Sequence, residues 1–165
     1  MYVLHCTTIE TRPPEVKLRE WNNIMKEANA AQGELWHDEM LPDHFTPDAK
    51  NRYHHQPRDP RYIKRKIRMS EHGIVKEHGL VDNVFYGHMR KMLREGAIVR
   101  PYPTRVTIRM IGPRYVTMRP YKSNQPNKAA ELTTVTPDEE QRLADKVGHV
   151  VHMRLSEIHE PKKTT

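Results

Sequence analysis

Apolar residues in the first third of the chain recur at the spacing of one helix face. Leu18, Trp21, Met25, Ala28 and Leu35 fall three, four, three and seven residues apart, and Ile24, Ala31 and Trp36 widen the stripe. The pattern predicts a long amphipathic helix from Glu15 to about Leu41. Gly33 lies inside it and is about 1 kcal/mol worse than alanine in a helix, so a bend or break is expected there. Upstream, Tyr2 to Ile9 is rich in β-branched and aromatic residues and stops at Arg12-Pro13-Pro14. It reads as a short strand or an extended arm within residues 1–14.

Proline punctuates the middle of the chain. Pro42 is expected to close the long helix, and Thr46-Pro47-Asp48 to open a short one through about Tyr53, with the threonine as cap. After a polar connector from His54 to Asp59, Pro60 starts a helix to about Met69 with Ile63 and Ile67 one turn apart and a basic opposite face. Val84, Phe85, His88, Met89, Met92 and Leu93 mark a further helix from Asn83 to Glu95, which Gly96 terminates. The period then changes from helical to two. Arg105-Val106-Thr107-Ile108-Arg109-Met110 alternates polar and apolar strictly, and its surroundings predict two or three antiparallel strands with a turn at Gly112-Pro113. Ser123 to Lys128 is polar and belongs to a long loop over 120–134. Thr136-Pro137-Asp138-Glu139 is a capping box, and Leu143, Val147, Val150, Val151, Leu155 and Ile158 form the stripe of a last helix.

These elements give an α+β fold. Long N-terminal and C-terminal amphipathic helices pack on a small antiparallel sheet, in one domain over 1–160 with proline-rich arms and a flexible tail at 161–165. Composition modifies the picture in one respect. Hydrophobic residues make up 36% of the chain, and the 7 glycines do not raise the apolar total to the usual 45–50% or so. With 13 prolines holding extended paths, the private core is expected to be limited and part of the fold to be completed by neighbouring subunits. No apolar run approaches the roughly 18–20 residues that span a bilayer, and the N-terminus lacks the pattern of a secretory signal, so synthesis in a cytoplasm is expected.

The formal charge is +7, from 28 basic and 21 acidic residues, which directs attention to acidic partners or nucleic acid. Arg58, Arg61, Lys64, Arg65, Lys66 and Arg68 form the densest run, either a solvated helix face or a phosphate-facing stripe. Arg105 and Arg109 share one face of the predicted strand and suit an acidic neighbouring subunit better than DNA. Trp21 and Trp36 are candidate core residues or interface anchors. Eleven histidines invite a metal site, but neither His54-His55 nor His149 with His152 belongs to an HExxH or HxH nucleus. The single Cys6 supplies no cysteine pair. Phosphate-binding glycine loops and a GxSxG elbow are also absent from the sequence, and the acids after Thr136 suit the first turn of a helix. The expectation is a non-enzymatic protein with no cofactor and no metal.

Several stretches together resemble the tail-completion and head-to-tail joining proteins of tailed bacteriophages. They are the long first helix, Trp36-His37 to Phe45-Thr46-Pro47, the basic connector from Tyr53 to Lys66, Val84-Phe85-Tyr86-Gly87-His88-Met89-Arg90, and Ala130 to Glu140. The likeness covers about two thirds of the chain. It implies a virion structural role in the phage neck: a homo-oligomeric ring, sixfold, joining the head-completion and portal side to the tail tube or tail terminator. Such a ring lines a channel through which double-stranded DNA passes, and its subunits contact one another through two different patches. No membrane is involved, and the site of synthesis is the host cytoplasm. Two other readings compete: a basic nucleic-acid-binding protein using the Arg58 to Arg68 run and the strand arginines, and, more remotely, a metal-dependent hydrolase built from the histidines.

Overall fold

The computed structural model of the chain describes residues 2–8, 11–13, 15–72, 88–113 and 126–159. The fold is α+β. Strand β1 (Tyr2–Thr7) is followed by helix α1 (Leu18–Leu35), which continues without a break into a wider π-helical turn (Trp36–Met40) and a tight 3-10 turn (Leu41–Phe45). Three helices come next, α2 (Ala49–Arg52), α3 (Pro60–Glu71) and α4 (His88–Glu95). The hairpin strands β2 (Ile98–Tyr102) and β3 (Arg105–Met110) lead to α5 (Lys128–Thr133) and the long α6 (Pro137–His159).

The sheet order is β1-β3-β2, antiparallel throughout, with Leu4 opposite Ile108 and Val99 opposite the same residue from the other side. Strict alternation in β3 therefore does what it predicts: Val106, Ile108 and Met110 are buried while Arg105, Thr107 and Arg109 face away. The N-terminal segment takes the strand alternative rather than the free arm over Tyr2–Thr7. Pro101 sits in β2, which is an edge strand, the position where a missing N–H does least harm. The turn joining β2 to β3 is Pro103-Thr104. The turn expected at Gly112-Pro113 leads to residues 114–125, which lie outside those described, as do residues 83–87 of the helix expected from Asn83.

Gly33 is the main correction to the helix reading. It is a contact point instead of a break: a Cβ there would stand 2.8 Å from Val106 Cγ2 and 2.9 Å from Val99 Cγ1. Absence of a side chain lets α1 lie directly on the sheet. Leu18, counted in the apolar stripe, is exposed, while Asn29 and Gln32 are buried in its place. Hydrogen bonds make the burial of Asn29 tolerable: Nδ2 donates to the Tyr102 and Pro103 carbonyls (2.7 and 3.3 Å), and the amide oxygen accepts from Thr8 Oγ1 at 3.0 Å. One buried amide thus ties α1 to the end of β1 and to the hairpin turn.

Pro42 does not end the helical path but sits in the first turn of the 3-10 segment, where its missing N–H is tolerated. Thr46 caps nothing downstream; its hydroxyl donates back to the Asp43 carbonyl at 2.7 Å. The loop expected over 120–134 is interrupted by α5, capped by Asn127 Oδ1 accepting from the Ala130 N–H. The capping box at α6 is reciprocal as its sequence predicts, with Thr136 N–H donating to Glu139 Oε2 (2.9 Å) and Glu139 N–H to Thr136 Oγ1 (3.4 Å).

The core has two parts. In one, the inner sheet face meets Trp36, Met40, Leu41, Phe45, Met89, Leu93, Leu132 and Leu143. In the other, Val16, Trp21, Ile24, Met25 and Ala28 pack against Val147 and Val151 across the α1–α6 contact. Gly33→Ala tests the seating of α1. Its gain of about 1 kcal/mol in helix propensity is outweighed by overpacking of about 1–3 kcal/mol, because the opposing atoms are methyls of stiff β-branched side chains. Thermal and urea unfolding should show net destabilisation, partly restored by adding Val99→Ala.

Candidate interaction surfaces and the buried polar network

The connector between residues 41 and 59 buries Leu41, Phe45, Ala49 and Tyr53 at four-residue spacing, and polar contacts with the C-terminal segment fix it further. Glu139 of α6 is fully buried. Its Oε1 accepts from Tyr53 Oη at 2.6 Å and from Arg52 Nη2 at 2.8 Å, and Arg52 reaches Asp43 with its other arm at 2.6 Å. Glu131 of α5, also buried, takes both guanidinium nitrogens of Arg58 (2.9 and 2.7 Å) and the Gln56 N–H (3.0 Å). A two-pronged pair of this kind offsets much of the cost of removing both charges from water.

Between these carboxylates lies a stack of rings. His44 lies flat on Tyr53 with centroids 3.7 Å apart, and His55 is near parallel beyond them at 6.4 Å from His44. The chain turns between Tyr53 and His55 through His54 in the left-handed region, φ 51°. Burial lowers the His44 pKa to about 4, and the nearby Glu139 carboxylate opposes that shift only in part. Tyr53 is pushed well above its ordinary value by burial and by its bond to Glu139. Among the described residues no group of three or more His, Cys, Asp or Glu is arranged to hold a metal ion.

This network removes two members of the basic run from any surface. Arg58 is committed to Glu131, and Lys66 is fully buried within α3. The reading of all six as one outward stripe is corrected accordingly, since a helix turns i+5 away from the face that carries i, i+3 and i+4. Arg61, Lys64, Arg65 and Arg68 remain exposed on one face around a shallow dent of about 340 Å³. Trp21 and Trp36, candidates for core or interface, are buried in the core of the chain, 8% and 1% exposed.

A different surface emerges on the outer face of the sheet. Register places Val3, Arg109 and Ile98 in one row, His5, Thr107 and Arg100 in the next, and Thr7, Arg105 and Tyr102 in the third. Val3, Ile98 and Tyr102 are 36%, 47% and 41% exposed. Arg105 stands over the Tyr102 ring at 5.2 Å, and Thr107 Oγ1 pairs with His5 Nδ1 at 3.2 Å. These nine positions include three arginines and no acid. Arg105 and Arg109 share this face as expected; Arg100 and Tyr102 join them only because β2 pairs in this register. Arg114 and Arg119 lie outside the described residues.

Beside β1, which among the described residues is an edge strand, runs a groove of about 450 Å³, lined by Leu4, Cys6, Val135, Leu143 and Val147 among others. Burial raises the Cys6 pKa, which keeps it a thiol. No helix among the described residues is long and apolar enough to cross a membrane. Comparison with protein-family models, with curated proteins and with solved structures finds no match.

Glu131→Gln leaves the Arg58 charge buried without its partner and should destabilise the fold by about 3–5 kcal/mol, whereas Arg58→Met with Glu131→Leu should come close to wild type. Denaturant titration of both variants separates the outcomes. Acid sensitivity arises from His44. Its folded pKa lies below the ordinary 6.5, so the stability from keeping it neutral is complete above pH 6.5 and is lost as pH falls through about 4. The loss amounts to about 3 kcal/mol. His44→Phe should flatten this part of the stability curve, measured by thermal melts across that window.

Proposed function

We propose that the chain is a structural subunit of the neck of a tailed bacteriophage. It builds a ring between the head-completion or portal side and the tail tube, around the path of the DNA, and has no catalytic role. The sequence resemblance supplies the neck. The observation that supports assembly is the outer sheet face, where arginine, tyrosine, valine and isoleucine stand exposed on a rigid three-stranded platform without lysine or acid.

That composition is the one enriched at the centres of protein contacts, where planar arginines and aromatics are favoured and lysine and carboxylates are depleted. An acidic patch on the neighbouring subunit would complement it. The edge of β1, unpaired among the described residues and beside a mostly apolar groove, supports the same reading, because an extended segment from a neighbour can add there as a further strand. A ring needs two unlike patches on each subunit, and the sheet face and the β1 groove are such a pair.

Nucleic-acid binding without assembly is the second reading, favoured by the unneutralised cations of α3. Sedimentation and negative-stain imaging of the purified chain, alone and with portal-side and tail-tube proteins, decide between them. Rings, or assembly that requires those partners, are expected. Arg100→Glu with Arg105→Glu should abolish assembly while leaving a cooperatively folded monomer. A wild-type chain that stays monomeric at high concentration and ignores both partners overturns the proposal.

A further inference from the structure

The α3 stripe stands apart from the ion-paired arginines of the surface. Arg52 is neutralised by Asp43 at 2.6 Å, Arg142 by Glu39, and Arg154 by Glu27 and Glu157. Arg61, Lys64, Arg65 and Arg68 follow one another at i, i+3, i+4 and i+7, all exposed, and among the described residues no acid pairs with their side chains. Like charges at three- and four-residue spacing on a helix repel, so the arrangement is destabilising as it stands. The helix carrying it is nonetheless held firmly at its entrance. Asp59 caps it by accepting from the Arg61 N–H at 2.7 Å, and the preceding residue is the buried Arg58 clamped by Glu131.

We infer that this stripe is a contact surface for the phosphodiester backbone of double-stranded DNA, engaged without regard to base sequence. The inference deepens the neck reading, on which it rests for the source of the DNA, by assigning the DNA-facing surface to α3 and the sheet face to protein. Length and chemistry both fit. Residues 61 to 68 span about 10.5 Å of helix, a distance over which duplex DNA carries about six phosphate charges. The four side chains include no aromatic to stack on a base, and a single row of cations suits the row of backbone phosphates, which take most protein–DNA hydrogen bonds. An anionic membrane is disfavoured because a surface-lying helix needs a broad apolar face turned toward lipid. On α3 the only large apolar side chain that stands exposed is Ile67, and Lys66 beside it is buried, which makes no broad apolar face.

The test is fluorescence anisotropy of the full chain with a short mixed-sequence duplex at pH 8, where histidine is neutral. Four phosphate contacts give a slope of log K on log salt of about −3.6, hence about a 150-fold loss of affinity between about 50 and 200 mM salt. Arg61→Gln, Lys64→Gln, Arg65→Gln and Arg68→Gln together should flatten the slope by about 3 to 4. Arg100→Gln with Arg105→Gln should leave it unchanged. The fourfold variant should melt at the wild-type temperature or above, since mutual repulsion has been removed, so lost binding is not lost folding. An unchanged slope in the fourfold variant, transfer of the effect to the sheet variant, or equally tight binding of polyglutamate or phosphatidylserine vesicles would each overturn the inference. A monomer that never forms rings yet binds DNA with the stated slope keeps this inference and loses the neck reading; a ring with no salt-dependent binding does the reverse.

Discussion

Two carboxylates withdrawn from water, Glu131 and Glu139, organise the part of the molecule that apolar packing does not. Each would be strongly destabilising alone, so each demands partners, and apart from the Thr136 N–H of the capping box these come from the connector that precedes α3: Arg52, Tyr53, Gln56 and Arg58. The demand runs both ways, because Arg58 is as deeply buried as its carboxylate. The end of the connector, beyond the buried Tyr53, thereby acquires one position against the C-terminal helices. That clamp lies immediately before the Asp59 cap of α3, the helix that carries the basic stripe.

The same constraint explains how a chain with a modest apolar fraction fills its interior. Eight polar or charged residues are buried among the described ones, alongside the two hydrophobic clusters. Asn29, Glu131 and Glu139 each join segments far apart in sequence through hydrogen bonds instead of area. Polar interiors of this kind hold a particular arrangement, since a shifted register leaves a buried donor or charge unmet. The stacked His44 and Tyr53 fit the same scheme: a neutral imidazole fills a flat space that a charged one could not occupy.

Beyond its surface ion pairs, arginine has three further uses here, and only the surroundings tell them apart. Arg58 is a buried partner, Arg105 and Arg109 belong to a half-apolar sheet face, and Arg61, Arg65 and Arg68 stand in a bare row. A guanidinium keeps its charge in all three settings, because its pKa is too high for burial to neutralise it. What changes is the company: a carboxylate, aromatic and aliphatic neighbours, or other cations.

Elements whose signal is local were legible in the order of residues alone. Alternation fixed β3 and its two faces, Thr136 to Glu139 fixed the start of α6, and Pro60 fixed the start of α3, because capping bonds, proline geometry and side-chain alternation act within a few residues. Matters of long range were settled only once the chain had folded back on itself. Gly33 looked like a weak point until Val99 and Val106 were brought against it. Glu139 looked like a first-turn acid until Tyr53 and Arg52 arrived from 86 and 87 residues away. The basic run looked continuous until burial divided it, taking Arg58 and Lys66 inward. In each case the deciding free energy belongs to a pair of groups remote in sequence, and periodicity in one segment carries no information about which partner will be set opposite it.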